Sequence, residues 1–349
     1  MRPVVALLIS LLLLPLAASG HHAGAATYDP TASTEVEGVV TRIFWRNPHV
    51  HFDIRVTQSN GDTEQWDIES NSISILSRMG ITSDVLNVGE RVRVAGWPAR
   101  RSASAMFATN MLLPGGTEVL LAPRARPLWS DDTLGVNDIW VTDGGAAIGG
   151  ESGTGIFRVW STNVANPQSF PLFKDVVVVE DTYPLTNTAR VARENWNPVA
   201  DNPYLGCTPM GMPRVMGQPY PIEFVDQGDE ILLRIELFDI ERAIAMNAKT
   251  QTQDISRSSL GHSTGRWEDD TLVVTTTHVS WPYFDQSGVP LGEAAEIVER
   301  FKPDTGSGRL HYTITVTDFS TFTEPVTLEK YWTWRPGEEI QHFECTEFE

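Results

Sequence analysis

The sequence predicts a mainly β protein built from two barrel-like units. Apolar and polar residues alternate along many short runs, which is the period of a half-buried strand. Pairs rich in Gly, Asn, Asp and Pro separate these runs and are typical of tight turns. The apolar share of 41% is sufficient for a packed core. We therefore expect two folded domains rather than a disordered chain.

The first unit, residues 21–115, is predicted to contain three strands, a helix and two more strands. Ile73, Leu76 and Met79 have helical spacing, and Gly80 ends that helix. The Asn60-Gly61 pair predicts a tight hairpin turn. The strands are expected at residues 35–45, 49–57, 64–69, 90–97 and 105–113. This order predicts an OB-like five-stranded barrel.

Residues 206–349 are predicted to form successive antiparallel hairpins. The strands are expected at residues 223–225, 230–238, 265–277 (a hairpin), 297–301, 310–317, 326–334 and 338–344. Hairpins of this length fit an antiparallel lipocalin-like barrel or a curved sheet. Residues 116–205, rich in Pro, Gly and Asn but also in Trp, are expected to be an ordered, loop-rich connecting segment.

The start of the chain has the pattern of a signal peptide over residues 1–20. Arg2 precedes an apolar run from Val4 to Leu16, and small residues follow that run. The run is shorter than the about 20 apolar residues that span a bilayer. We expect an exported protein, periplasmic or secreted, with no stable membrane anchor after cleavage.

Charge and cysteine content restrict the partners. The net charge of −19 repels phosphate backbones, so nucleic acid is not an expected partner. The chain has two cysteines, Cys207 and Cys345, and an even pair in an oxidising compartment predicts a disulfide. The alternative, a metal pair or a reactive thiol, would need neighbouring ligands that the sequence does not supply.

Four histidines near the start of the chain form a candidate metal site. His49 and His51 are two apart on a predicted strand and share one face. Cleavage after residue 20 would leave His21 as a free N-terminal residue, followed by His22. Such a nitrogen-rich set suits copper or zinc. The alternative is structural: His21 and His22 fray, His49 caps a turn and His51 faces solvent.

The strands of the second unit carry candidate ligand-binding residues: Arg234, Glu236, His262, Trp267 and Arg300. Charged and aromatic side chains inside a barrel would suit a polar, ring-bearing small molecule. The alternative is that the charges form cross-strand pairs on the outer face.

Glu268 and Glu299 are candidates for catalysis. Paired carboxylates can act as acid and base on a glycoside or a phenolic compound. The sequence contains no Gly-rich phosphate loop, no nucleophile elbow and no zinc-binding His-Glu-x-x-His helix. The leading hypothesis is therefore a small-molecule-binding protein; a copper or zinc protein and a carboxylate-dependent hydrolase or lyase are the alternatives.

Two sets of motifs resemble families of exported bacterial proteins with no assigned function. The first set comprises His21-His22, Tyr28-Asp29-Pro30, Gly38-Val39-Val40 and Trp45-Arg46-Asn47-Pro48-His49. The second comprises Cys207–Pro213, Gly261–Val274, Val298–Phe301, Thr317–Phe319 and Phe343–Cys345. Both resemblances imply export and a β architecture, and neither implies a reaction.

Overall fold

The structure is a computed structural model that describes residues 27–135, 155–173, 183–197, 200–203, 207–247, 255–304 and 306–346. It is mainly β and contains two closed barrels, which confirms the predicted fold class. Among the described residues, no helix combines the length and the apolar character that crossing a membrane requires.

The first barrel is formed by five strands, and one short helix lies between the third and the fourth strand in the sequence. The elements are β1 (Thr34–Phe44), β2 (His51–Thr57), β3 (Thr63–Glu69), α1 (Ile73–Arg78), β4 (Arg91–Pro98) and β5 (Ala105–Leu112). The sheet order is β3-β2-β1-β4-β5, and a parallel pairing of β3 with β5 closes the barrel. Two further strands, β6 (Glu118–Leu120) and β7 (Thr133–Leu134), extend the sheet beyond β5.

Local sequence explains the turn and the helix of this barrel. Gly61 has a φ of 88°, a conformation that glycine adopts at little cost, in the turn between β2 and β3. The Ser72 side chain accepts a hydrogen bond from the Ile75 amide and caps α1. Leu76 and Met79 are buried, so the predicted apolar face of the helix packs on the barrel.

The second barrel has nine strands. They are β8 (Val159–Ser161), β9 (Ile222–Asp226), β10 (Glu230–Ile235), β11 (Ile240–Ala245), β12 (His262–Glu268), β13 (Thr271–Thr277), β14 (Glu296–Asp304), β15 (Arg309–Thr317) and β16 (Val326–Trp334). The strands are joined in this order, and β16 pairs with β8 to close the barrel. All neighbours are antiparallel except β11 and β12, which are parallel.

The second barrel differs from the expectation in three strands. β11 was not predicted, because buried Arg242 stands between Ile240 and Ile244 and interrupts the alternation of apolar and polar residues. β8 comes from the stretch expected to be a connecting segment, which also contains helix α2 (Asn187–Asn195). The prediction of a strand over residues 338–344 was wrong: the backbone there pairs with no strand.

Residues 338–346, which we call the clamp segment, instead hold the two barrels together. The Gln341 amide donates to buried Glu236, and the Phe343 ring packs against Tyr220 and Phe238. The Glu236 carboxylate also accepts hydrogen bonds from both terminal guanidinium nitrogens of Arg78 in α1, with N–O distances of 2.7 and 2.6 Å. A charged pair from the two barrels is therefore buried at their contact.

The predicted disulfide between Cys207 and Cys345 is confirmed, with a Cα–Cα distance of 5.7 Å. Cys345 also forms a backbone bridge with Asn47, and the Thr346 amide donates to the Asn47 carbonyl. These backbone contacts hold the clamp segment against the first barrel, and the disulfide ties it to the stretch of chain that precedes β9. A structural disulfide is typical of exported proteins.

Candidate functional site

The interior face of β16 carries a lysine among apolar residues. Alternate residues of a strand point to the same side, so Leu328, Lys330 and Trp332 share one face. All three are buried, whereas Glu329 on the opposite face is exposed. Lys330 is paired in register with buried Tyr312 of β15. These pairings place Lys330 inside the second barrel.

A buried ion pair crosses the same interior. Arg242 of β11 and Glu299 of β14 are in bidentate contact, with Arg242 Nη1 3.1 Å from Glu299 Oε1. Arg242 also donates to Thr276 and Ser263, and the Tyr312 hydroxyl donates to Glu299 at 2.9 Å. Burial, and then the Glu299 charge, raises the pKa of Tyr312. These groups satisfy one another, so the network needs no ligand to complete it.

Lys330 and Trp332 differ from that network. Among the described residues, no hydrogen-bond partner is found for Lys330 Nζ or for Trp332 Nε1, although both atoms are buried. Nζ lies 4.3 Å from the centroid of the Trp332 ring. Burial, and then the charge of Arg214, lowers the pKa of Lys330 to about 7. The barrel thus contains two donors that a bound acceptor would satisfy.

The segment before β9 brings Arg214 close to Lys330. Residues Arg214–Gly217 form one buried 3-10 turn. The Arg214 guanidinium lies 5.0 Å from the centroid of the Phe173 ring, and Met216 Sδ lies 4.0 Å from Arg242 Nη1. A Cβ on Gly217 would approach Phe173 to 2.5 Å, so only glycine permits this packing. The turn therefore packs against groups of the barrel interior.

The first barrel has its own cluster of titratable groups around Glu69. The Tyr28 hydroxyl donates to Glu69 Oε2 at 2.5 Å, and His49 Nδ1 is 2.7 Å from Glu69 Oε1. His51 Nδ1 is 3.2 Å from Asp67 Oδ1, and its Nε2 is 3.9 Å from Glu69 Oε2. His49 and His51 are therefore in contact with carboxylates.

Opposing effects set the pKa values in this cluster. Burial by itself would raise the pKa of Glu69, but the charge and hydrogen bond of His49, the charge of His51 and the Tyr28 hydroxyl lower it to about 2. Burial by itself would lower the pKa of His51, but Asp67, Glu69 and Asp53 raise it. Burial, and then the Glu69 charge, raises the pKa of Tyr28.

Acid is expected to weaken the fold through Glu69. Its folded pKa of about 2 lies below the ordinary 4.5, so its contribution is complete above pH 4.5 and is lost as the pH falls toward 2. Glu69→Gln should therefore lower the free energy of unfolding at pH 7 by about 3 kcal/mol. The pKa of His51 is raised in the folded protein. The stability that its protonated form contributes is therefore lost as the pH rises through that pKa. Urea unfolding of the wild type and of Glu69→Gln at pH 7 and pH 3 measures the loss.

Glu37→Gln is the matched control for this prediction. Glu37 pairs with Arg91 on the surface, where both side chains are more than half exposed. An exposed pair contributes under about 1 kcal/mol, so the control should unfold much as the wild type does. An equal loss in both variants at pH 7, or the same Glu69→Gln loss at pH 3, would contradict the assignment.

The candidate metal ligands are only partly covered by the structure. His21 and His22 lie outside the described residues. Among the described residues, no group of three or more His, Cys, Asp or Glu side chains has an arrangement that could hold a metal ion. His49 and His51 are close together, and their contacts include Glu69, Asp67 and the Ser70 carbonyl.

The candidate ligand-binding residues lie apart from Lys330 and Trp332. Arg234 pairs with Glu223 and is 41% exposed, and Arg300 pairs with Glu268 at the surface. Trp267 is 44% exposed. His262 is half-buried and adjoins inward-facing Ser263. Glu236 belongs to the contact between the barrels, described above.

The two candidate catalytic carboxylates do not face each other. Glu299 lies inside the barrel against Arg242, whereas Glu268 lies on the surface between Arg266 and Arg300. A mechanism with two facing carboxylates would need both groups on one side of the sheet. The sequence analysis did not identify Arg242 or Lys330 as interior residues. Each lies two positions from inward-facing apolar residues on either side of it in its strand.

The fold and the interior define a two-barrel β protein with polar and charged groups enclosed in the larger barrel. Residues 9–107 match a family described as a family of unknown function (DUF6152). This match covers the first barrel through the first three residues of β5 and supports the expected resemblance of this part of the chain to an uncharacterised family. No curated protein and no solved structure matches the chain.

Proposed function

We propose that this protein is exported and binds a small molecule inside its second barrel. The observation that carries the proposal is the pair of buried donors without a partner, Lys330 Nζ and Trp332 Nε1. A buried polar group without a hydrogen bond costs about 1–3 kcal/mol. A ligand that supplies an acceptor would recover that cost. The signal-like pattern over residues 1–20 and the disulfide support export.

The buried aromatic side chains near Lys330 support a ligand with a ring or a conjugated system. Phe301, Tyr312 and Trp332 form one aromatic group, with ring centroids 4.9 and 5.0 Å apart between successive members. Ligand sites in barrels combine such apolar surfaces with a few polar groups that set orientation. Lys330 and Trp332 would be those polar groups.

Thermal shift with purified mature protein tests the proposal. Aromatic acids, aromatic aldehydes, lipids and sugars form the panel, and at least one aromatic compound should raise the melting temperature. A ligand at 100 times its Kd stabilises the fold by about 2.7 kcal/mol. Trp332→Phe removes Nε1 and keeps most of the ring, so the shift should shrink in that variant.

Trp267→Phe is the matched control, because Trp267 is exposed on the surface. The ligand-induced shift should be unchanged in this variant. The absence of any shift across the panel, or an equal loss in both tryptophan variants, would remove the support for a ligand inside the barrel.

A further inference from the structure

We propose that Lys330 binds an aldehyde or ketone ligand covalently, as a reversible imine, inside the second barrel. This inference rests on the proposed function, because it names the ligand class and the atom of the protein that captures it.

The position of Nζ favours a nucleophile. Lys330 is buried, which favours the neutral amine over the ammonium ion. The face of the Trp332 ring, with its centroid 4.3 Å from Nζ, attracts a cation and opposes this effect only in part. Within the described ranges, no carboxylate forms an ion pair with Nζ, and no acceptor takes its protons. An amine held by a carboxylate stays protonated, and a protonated amine has no lone pair to donate.

The charged groups of the interior also favour the neutral form of the Lys330 amine. Arg214 lies on the turn that packs against the interior groups, and its positive charge opposes protonation of Lys330. Glu299, the inward-facing carboxylate described on β14, is in a salt bridge with Arg242 and accepts a hydrogen bond from Tyr312. A lysine that is desolvated and adjacent to another cation is a recognised nucleophile toward carbonyl compounds. Its pKa of about 7 leaves a large neutral fraction at neutral pH.

The reaction needs no oxidant or reductant. The lone pair of Nζ attacks the carbonyl carbon and forms a C–N bond, and the carbonyl π electrons move to oxygen. Proton transfer from nitrogen to that oxygen gives a carbinolamine. Loss of water then forms the C=N bond. Hydrolysis reverses the sequence, and a closed barrel that excludes water slows that reversal.

Trp332 supplies the second polar contact of this ligand class. Its Nε1 is a buried donor without a partner, two residues along the same strand from Lys330. Phe301 and Tyr312 lie in register with Lys330 across β14 and β15. The aromatic lining therefore fits an aryl or conjugated carbonyl compound better than an aliphatic one.

Reductive trapping tests the inference directly. The chain has four lysines, Lys174, Lys249, Lys302 and Lys330, so peptide mapping by mass spectrometry can resolve each one. Full-length mature protein is treated with benzaldehyde and sodium cyanoborohydride, which reduces any imine to a stable benzylamine. At pH 7 we expect Lys330 to be labelled at least about 10-fold faster than exposed Lys302. The Lys330 rate should fall below pH 7, while Lys302 should react faster only toward high pH.

Lys330→Met and Lys302→Met are the matched variants. Lys330→Met should lose the fast label, and Lys302→Met should keep it. Circular dichroism melting checks that Lys330→Met is folded. If the variant is unfolded, the comparison of Lys330 with Lys302 in the wild type and the pH profile of the two labelling rates still test the imine. Labelling of Lys330 no faster than Lys302, or a rate without the pH dependence, overturns the imine.

Benzyl alcohol separates this inference from the proposed function, because it cannot form an imine. If benzyl alcohol and benzaldehyde both raise the melting temperature of the wild type but Lys330 is not trapped, the imine fails and barrel binding stands. If neither compound shifts the melting temperature and nothing is trapped, both proposals fail for this ligand class.

Discussion

Replacing both Cys207 and Cys345 with alanine is expected to lower the free energy of unfolding by about 4–5 kcal/mol. The disulfide joins residues 138 positions apart, and in the chain-entropy model a loop of this length contributes that much by restricting the unfolded chain. The bond also fixes the clamp segment, whose backbone contacts Asn47 of the first barrel and Glu236 of the second. Its loss should therefore weaken the contact between the barrels as well.

Urea unfolding of the oxidised wild type and of the double alanine variant measures this effect. Wild-type protein in reductant is the control, since it loses the same cross-link without a change of sequence. The reduced wild type and the double variant should unfold at similar urea concentrations. Wild-type stability in the double variant would mean that the cross-link does not restrain the chain.

Arg242→Leu is expected to lower the free energy of unfolding by about 3–5 kcal/mol. The substitution leaves the Glu299 carboxylate inside the barrel without its cation, and uncompensated buried charges are costly. It also removes the hydrogen bonds to Ser263 and Thr276. Adding Glu299→Gln to Arg242→Leu removes the isolated charge and should restore part of the loss, which a double-mutant cycle quantifies.

Arg234→Leu is the matched control from the neighbouring strand. Arg234 pairs with Glu223 at 2.7 Å, but its side chain is 41% exposed, so the loss should be under about 1 kcal/mol. Similar losses for Arg242→Leu and Arg234→Leu would contradict the inward placement of Arg242.

Much of the first barrel could be predicted because its signals are local. Alternation, the Asn60-Gly61 turn and the helical spacing before Gly80 each act over a few residues, and the strand limits were correct within about three residues. The parallel pairing of β3 with β5 joins Asp67 to Ala105 and leaves no local pattern in the sequence. It could be inferred only by analogy with other barrels of the same strand order.

The candidate site was harder to predict than the fold. A charged residue in an alternating strand normally marks the outer face, and this rule correctly describes Arg234 and Arg300 but not Arg242, Glu299 or Lys330. Arg242 and Glu299 lie on strands that are not adjacent and meet across the barrel. The one available signal for Lys330 is its period-two placement between Leu328 and Trp332.

The way in which the second barrel closes has a consequence for folding kinetics. Its first strand along the chain, β8, pairs with its last, β16, and the Thr333 hydroxyl donates to the Ser161 carbonyl across 172 positions of sequence. Contacts between residues so far apart in the sequence form slowly, because a long loop must close before they contribute to stability. Until they form, the sheet has two unpaired edges, which are prone to pairing with other chains. Refolding is therefore expected to be slow and sensitive to protein concentration.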